Sequence, residues 1–276
     1  MGEGDSRFGR EDRLSSAANE AQRHSTVLLM RASTRDKAIL AGLYLSKFDT
    51  AGLRMLGLNS FLEAFNVIGF ALGASPASIK NYRDEFDPLF PNNRQGWHKR
   101  TMRAHCKAVL DDHGSLQIDA FSRLIKSVIY KDRDIGLLVD DADQASGEST
   151  SFAKRLITGQ AAENYFSLHY REISLFDGFS LEDTTMHGCG FDFRLTSPGT
   201  FYAVEVKGIQ ESSGSISMTA KEYSVASILR DRYFLMVVKN FRETPCHQLF
   251  RDPVGSNLNF VKKEQTVVQV NWAAKV

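Results

Sequence analysis

The sequence predicts an α-helical N-terminal domain followed by an α/β C-terminal domain. Three observations carry this. Apolar residues recur at three- and four-residue spacing from Thr34 to about Lys131. VDDADQASGESTS, residues 139–151, then loses that periodicity and turns acidic and small, as a linker does. Beyond it, short apolar runs of strand length alternate with helical stretches. The divisions are a flexible tail over 1–30, a helical domain over 31–138, a linker over 139–151 and an α/β domain over 152–276.

In the helical half, RDKAILAGLYLSKF has one apolar stripe. SFLEAFNVIGFALG follows, with Ser60 and Glu63 at capping-box spacing. In SPASIKNYRDEFD, Ser75 suits an N-cap and Pro76 the first helical position. GWHKRTMRAHCKAVLDDHG reads as one longer helix ending at Gly114, and DAFSRLIKSVIYK as another capped by Asp119. In the second half, TGQAAENYFSLHYREI is an amphipathic helix. GFDFRL and FYAVEVKG are strands joined by TSPGT, whose Pro and Gly suit a hairpin. TAKEYSVASILRD is a helix with Thr219 and Glu222 at capping-box spacing. YFLMVVKNF and TVVQVNW are further strands.

Composition is that of a globular chain, 42% hydrophobic and 24% charged, with a formal net charge of +1. That balance neither demands nor excludes a nucleic-acid partner. Cys106, Cys189 and Cys246 lie far apart without a C-x-x-C pair, which speaks against a disulfide framework or structural zinc and fits a reducing cytoplasm. No apolar run has the length of a membrane span, and the opening MGEGDSRFGREDRL lacks the apolar core of a secretory signal. The expectation is a cytoplasmic bacterial protein with no membrane partner.

FYAVEVKG carries the chemistry. Its first residues are aromatic or aliphatic, as in a buried strand, yet Glu205 and Lys207 share one face near its end. If GFDFRL pairs with it, Asp192 converges on Glu205. Two close carboxylates need a shared proton or a cation between them. Mg²⁺, with Mn²⁺ as the variant, prefers carboxylate and water oxygens and leaves room for phosphate. Lys207 would face the phosphate charge, and Glu163, on a small-residue surface of the preceding helix, could approach the metal. The competing account is an exposed cross-strand ion-pair set on an ordinary sheet.

An Asp about a dozen residues before E-x-K on a hairpin, with a Glu on the preceding helix, resembles the PD-(D/E)XK nuclease superfamily. More narrowly, GQAAENYF, GCGFDFRL, FYAVEVKG, MTAKEYSVA and YFLMVVKN, in that order, resemble the domain family named after the C-terminus of the plant protein NO VEIN. The resemblance covers about residues 152–243. It implies a restriction-endonuclease-like core of helix, mixed β-sheet and helix, and a place among bacterial restriction and defence proteins. It also implies metal binding by Asp192 and Glu205, with Glu163 supporting, and a catalytic role for Lys207. One departure is that Phe191, not Pro, precedes Asp192. Lys221 and Glu222 also match the family's helix, where a cap and a phosphate contact are preferred to a catalytic role.

In the helical half, the apolar helix ending in LG and the capped SPASIKNYRDEFD resemble a helix-turn-helix. Ser78, Lys80, Asn81 and Arg83 are then candidate base or phosphate contacts, joined by Arg94, Lys99 and Arg100 of the basic loop that follows. The alternative is a helical bundle with a solvated charged face used for dimerisation or docking. His98 and His105 fall one heptad apart on the longer predicted helix, about 10 Å, too far to share a metal.

The expectation is a Mg²⁺-dependent endonuclease of double-stranded DNA, acting as a homodimer because two strands need two sites. The alternatives are a DNA-binding or sensing subunit of a multi-protein defence system, with partner defence proteins, and a helical interaction protein carrying an RNA-directed nuclease domain.

Overall fold

The computed structural model describes residues 32–129, 149–256, 258–264 and 274, with the backbone alone for 149–156. The tail over 1–30, linker residues 139–148 and the strand expected at TVVQVNW lie outside the described residues. Among the described residues, no single helix is long and apolar enough to cross a membrane.

The helical half opens with α1, Thr34–Met55, started by Ser33, whose hydroxyl accepts the Asp36 N–H. The helix breaks at Asp49, where φ is 48°. Helix α2, Phe61–Ala71, starts at Ser60, whose side chain accepts the Glu63 N–H. The Glu63 carboxylate caps one residue further out than the box predicts, accepting from the Asn59 N–H at 2.7 Å. Helix α3, Pro76–Phe86, has the expected Ser75 cap and Pro76 start, and the chain bends by 120° between α2 and α3. Helices α4, Ala104–His113, and α5, Ile118–Ile129, follow.

Two boundaries differ from those expected. The helix expected from Gly96 starts only at Ala104, so His98 falls in a turn. The Asp84 carbonyl accepts the Trp97 N–H at 2.8 Å, and Glu85 accepts both the Arg103 N–H and its guanidinium at 2.8 Å, which pins 97–103 outside helical geometry. Asp119 lies inside the first turn of α5 and favours its positive end without capping it.

The second half opens with α6, Ser149–His169, which begins inside the expected linker. Strands β1, Ser180–Asp183, β2, Phe193–Ser197, and β3, Thr200–Gly208, precede helix α7, Ala220–Leu229. Strands β4, Tyr233–Lys239, and β5, Cys246–Arg251, follow. They form one mixed sheet in the order β1-β2-β3-β4-β5, antiparallel except for the β3–β4 pair. The β2–β3 turn is the expected hairpin, with Gly199 at φ 81° after Pro198, where only glycine is unstrained.

One apolar core runs through both halves, from Leu40 and Phe65 to Phe166, Val204 and Met236. Phe70 of α2 packs edge-on against Tyr165 of α6 at 5.2 Å. The Gln160 amide donates to the Ala71 and Ile129 carbonyls at 2.7 and 2.8 Å, and Asn164 donates to Phe70 O at 2.9 Å. These carbonyls close α2 and α5, where a helix has no partners of its own. From the other side, Asn66 of α2 donates to the carbonyls of Phe241 and Glu243 at 2.8 and 2.7 Å. The helical bundle and the sheet are therefore packed as one body.

Candidate active site

Strand β3 alternates as its charges require. Val204 and Val206 enter the core beneath α6, while Ala203 faces α7 and packs with Ala226 and Tyr233. By that period of two, Glu205 and Lys207 lie on the α7 side. Glu205 is only 3% exposed, so it is no solvated strand carboxylate.

Asp192 sits one residue before β2. Because Phe193 pairs with Val204, Asp192 falls beside Glu205. Its backbone is held on both sides, donating to Val204 O at 3.1 Å and accepting the Thr184 N–H at 2.8 Å. Its carboxylate crosses to β3 and accepts the Val206 N–H at 2.9 Å. The loop leading to it is anchored by the Tyr233 hydroxyl, which donates to Gly190 O at 3.0 Å.

Lys207 reaches 2.6 Å from Glu205 and 2.9 Å from Glu222 of α7. Glu222 also accepts the Thr219 N–H, completing the capping box of α7. One carboxylate thus holds a helix start and a site lysine together. Gly208, next in sequence, lets α6 approach: a Cβ there would stand 2.5 Å from the Thr158 carbonyl. That close packing brings Glu163, five residues along α6 beside the buried Ala161 and Ala162, into the electrostatic reach of Asp192.

Burial, and then the neighbouring Glu163 carboxylate, push the Asp192 carboxyl well above its ordinary value. Burial and Asp192 do the same to Glu205, outweighing the opposing pull of Lys207. For Lys207, burial favours the neutral amine, but the carboxylates of Glu205 and Glu222 win and hold its pKa above the usual lysine range. Among the described residues, the cluster has more carboxylate than cation. Among the described residues, no group of three His, Cys, Asp or Glu side chains is arranged to hold a metal ion. Asp192 and Glu205 nevertheless form an all-oxygen pair short of positive charge, a donor set that fits a hard divalent ion able to keep its own waters.

The structure separates the residues expected to contact DNA. Lys99 and Arg100 are exposed in the loop, with the Arg100 guanidinium 5.0 Å over the Trp97 ring. Lys80 and Asn81 are exposed on α3, Lys80 pairing with Asp84 at 2.6 Å. Ser78 is half-buried, its hydroxyl 2.9 Å from that of Ser75. Lys221 is exposed on α7, next in sequence to Glu222.

Arg83 and Arg94 correct the expectation. Arg83 is buried, pairs with Asp84 and Asp87, and lies 5.0 Å over the rings of Phe61 and Phe65. Arg94 is 2.9 Å from Asp87 and 3.0 Å from Asp49, with Phe61 beneath it. Both are spent on the buried Asp87 and hold the helical bundle.

Glu222 is the site residue whose second role the sequence conceals. Its capping signature is legible, but its bond to Lys207 appears only when α7 folds over the sheet. No curated protein and no solved structure matches the chain. Residues 162–251, which include Glu163, Asp192, Glu205, Lys207 and Glu222, match the family model described as Protein NO VEIN, C-terminal.

Proposed function

We propose that this chain is a Mg²⁺-dependent endonuclease of double-stranded DNA, with a PD-(D/E)XK-type site on a restriction-endonuclease-like core. The observation that carries this is the convergence of Asp192, Glu205 and Lys207 on one sheet face, at a point where carboxylates outnumber cations. The NO VEIN match over the same residues hints at a nuclease-like or defence role.

Asp192 and Glu205 would hold the ion, with Glu163 in support; when bound, it supplies a Lewis acid for a phosphoryl oxygen. The chain's own contribution is placement. The Val206 N–H and the two backbone bonds of Asp192 fix one carboxylate. The sheet fixes the other. Lys207, kept protonated by Glu205 and Glu222, sets positive charge where the phosphorane gains negative charge. Cutting a duplex calls for two copies of this site, hence a homodimer. The exposed Lys80, Asn81, Lys99, Arg100 and Lys221 are the remaining DNA contacts, with Ser78 at the start of α3.

Purified protein incubated with plasmid tests this. Wild type should cut with Mg²⁺ or Mn²⁺ and not with a chelator, and Asp192→Asn, Glu205→Gln and Lys207→Ala should each stop cutting while leaving binding. Absence of nicking on methylated, unmethylated and single-stranded DNA would refute it.

A second reading is a DNA-binding or sensing subunit of a multi-protein defence system that needs partner proteins or does not cut. The Lys207 ammonium, closed between Glu205 and Glu222, favours it. Binding without cleavage, with cleavage appearing on addition of a partner, would select it.

A further inference from the structure

Arg194 and Arg232 come from distant parts of the chain, one on β2 and one just before β4, and meet over a single ring. The guanidinium of Arg194 lies 4.9 Å from the centroid of Phe201, and that of Arg232 lies 5.3 Å from it. Both arginines are exposed and Phe201 is half-buried. Among the described residues, neither arginine makes an ion pair with a carboxylate. Glu182, beside Arg194 on β1, and Asp231, which pairs with Arg251, are the nearby acids in register and sequence. Two cations gathered on one ring repel each other, and neither of these acids closes an ion pair with them to offset it. The ring orients each guanidinium but offsets little of that repulsion, since an exposed cation–π contact contributes only about 0.5–1 kcal/mol.

The location adds the second observation. In β3, Phe201 and Glu205 are four residues apart, so they share a face and lie about 13 Å apart along the strand. Arg194 of β2 is two residues from Asp192 and pairs in register with Ala203, so it faces the same way. Helix α7 spans the interval, its first turn at Lys207 through Glu222 and its end leading through 230–232 to Arg232. The carboxylate cluster and the arginine pair therefore stand at the two ends of α7 on one sheet face.

We propose that Arg194, Phe201 and Arg232 form a subsite for the phosphodiester backbone of the DNA substrate, gripping it away from the bond that is cut. Planar guanidinium groups held by a ring present their N–H edges to phosphate oxygens, as a lysine's mobile ammonium does not. The assignment rests on the proposed nuclease reading for the identity of its ligand.

The test is binding of a fluorescein-labelled DNA duplex by the full chain in chelator, measured over a series of salt concentrations, beside plasmid cutting in Mg²⁺. Arg194→Ala/Arg232→Ala should weaken binding at least tenfold and lower the salt slope by about one per arginine. Phe201→Leu should weaken it less, and Arg54→Ala, which removes a surface charge from α1, should change neither quantity. Unaltered melting temperatures show that the exposed substitutions leave the fold intact. Wild type that cuts while the double variant binds and cuts as well as it does overturns the subsite and leaves the nuclease reading standing. Wild type that binds without cutting, with binding lost in the double variant, supports the subsite and overturns the nuclease reading. Wild type that does not bind the duplex overturns the subsite.

Discussion

The Lys207 ammonium lies 2.9 Å from Glu222, on the same carboxylate oxygen that accepts the Thr219 N–H and so closes the start of α7. Glu222→Gln keeps an oxygen for the cap but removes the charge that balances Lys207. Plasmid cutting is expected to fall about tenfold in kcat with KM unchanged, as for groups that orient a site. Glu222→Ala should in addition lose about 1 kcal/mol of stability in urea, because the cap goes with it.

The raised carboxyls of Asp192 and Glu205 give a signed dependence on pH. Each holds its proton more tightly in the folded chain than in the unfolded one. Without metal, stability is therefore present at low pH and declines as pH rises from about 4, the ordinary carboxylate value, towards neutrality and beyond. A divalent ion must displace those protons. Mg²⁺ should raise the melting temperature more at about pH 8 than at about pH 5.5, and its binding should release protons measurable by calorimetry in buffers of different ionisation enthalpy. Glu205→Gln should flatten both effects.

Asp87 is buried and faces Arg94 at 2.9 Å and Arg83 at 3.5 Å. Removing Arg94 leaves a carboxylate without its closest counter-charge. Arg94→Ala should cost about 3 kcal/mol by chemical denaturation, whereas Lys80→Ala and Asn81→Ala, on the exposed face of α3, should leave stability unchanged within about 0.5 kcal/mol. Equal effects of all three on stability would dissolve the distinction between scaffold and surface.

Gln160 is the donor that joins α2, α5 and α6. Gln160→Ala orphans the Ile129 carbonyl and leaves Ala71 O with the Asn164 amide alone, and should cost about 2 kcal/mol. Because the core is shared, the loss should appear as one shifted transition by both circular dichroism and tryptophan fluorescence. Two separate transitions would show that the halves unfold independently.

Much of the candidate site was legible because its signals are local. Strand alternation places Glu205 and Lys207 on one face, and the Pro198–Gly199 turn brings β2 back antiparallel, which sets Asp192 beside Glu205. Strands β1 and β5 were not legible: SLED and CHQLFR are edge strands, mostly exposed, and carry no apolar alternation. The roles of Arg83 and Arg94 were hidden for another reason. A basic residue near a capped helix looks the same in sequence whether it meets a phosphate or the buried Asp87, and Arg94's other partner, Asp49, lies 45 residues away.

By itself the sequence determined the helix starts at Ser60, Ser75 and Thr219, the β2–β3 hairpin and the pairing of Asp192 with Glu205, because caps, turns and strand period act within a few residues. Only the tertiary structure decided that helices and sheet share one core, that Glu222 holds Lys207, and that Arg194 and Arg232 meet on Phe201. Those relations depend on how α6 and α7 cross the sheet, and packing of that kind is set by contacts far apart in the chain.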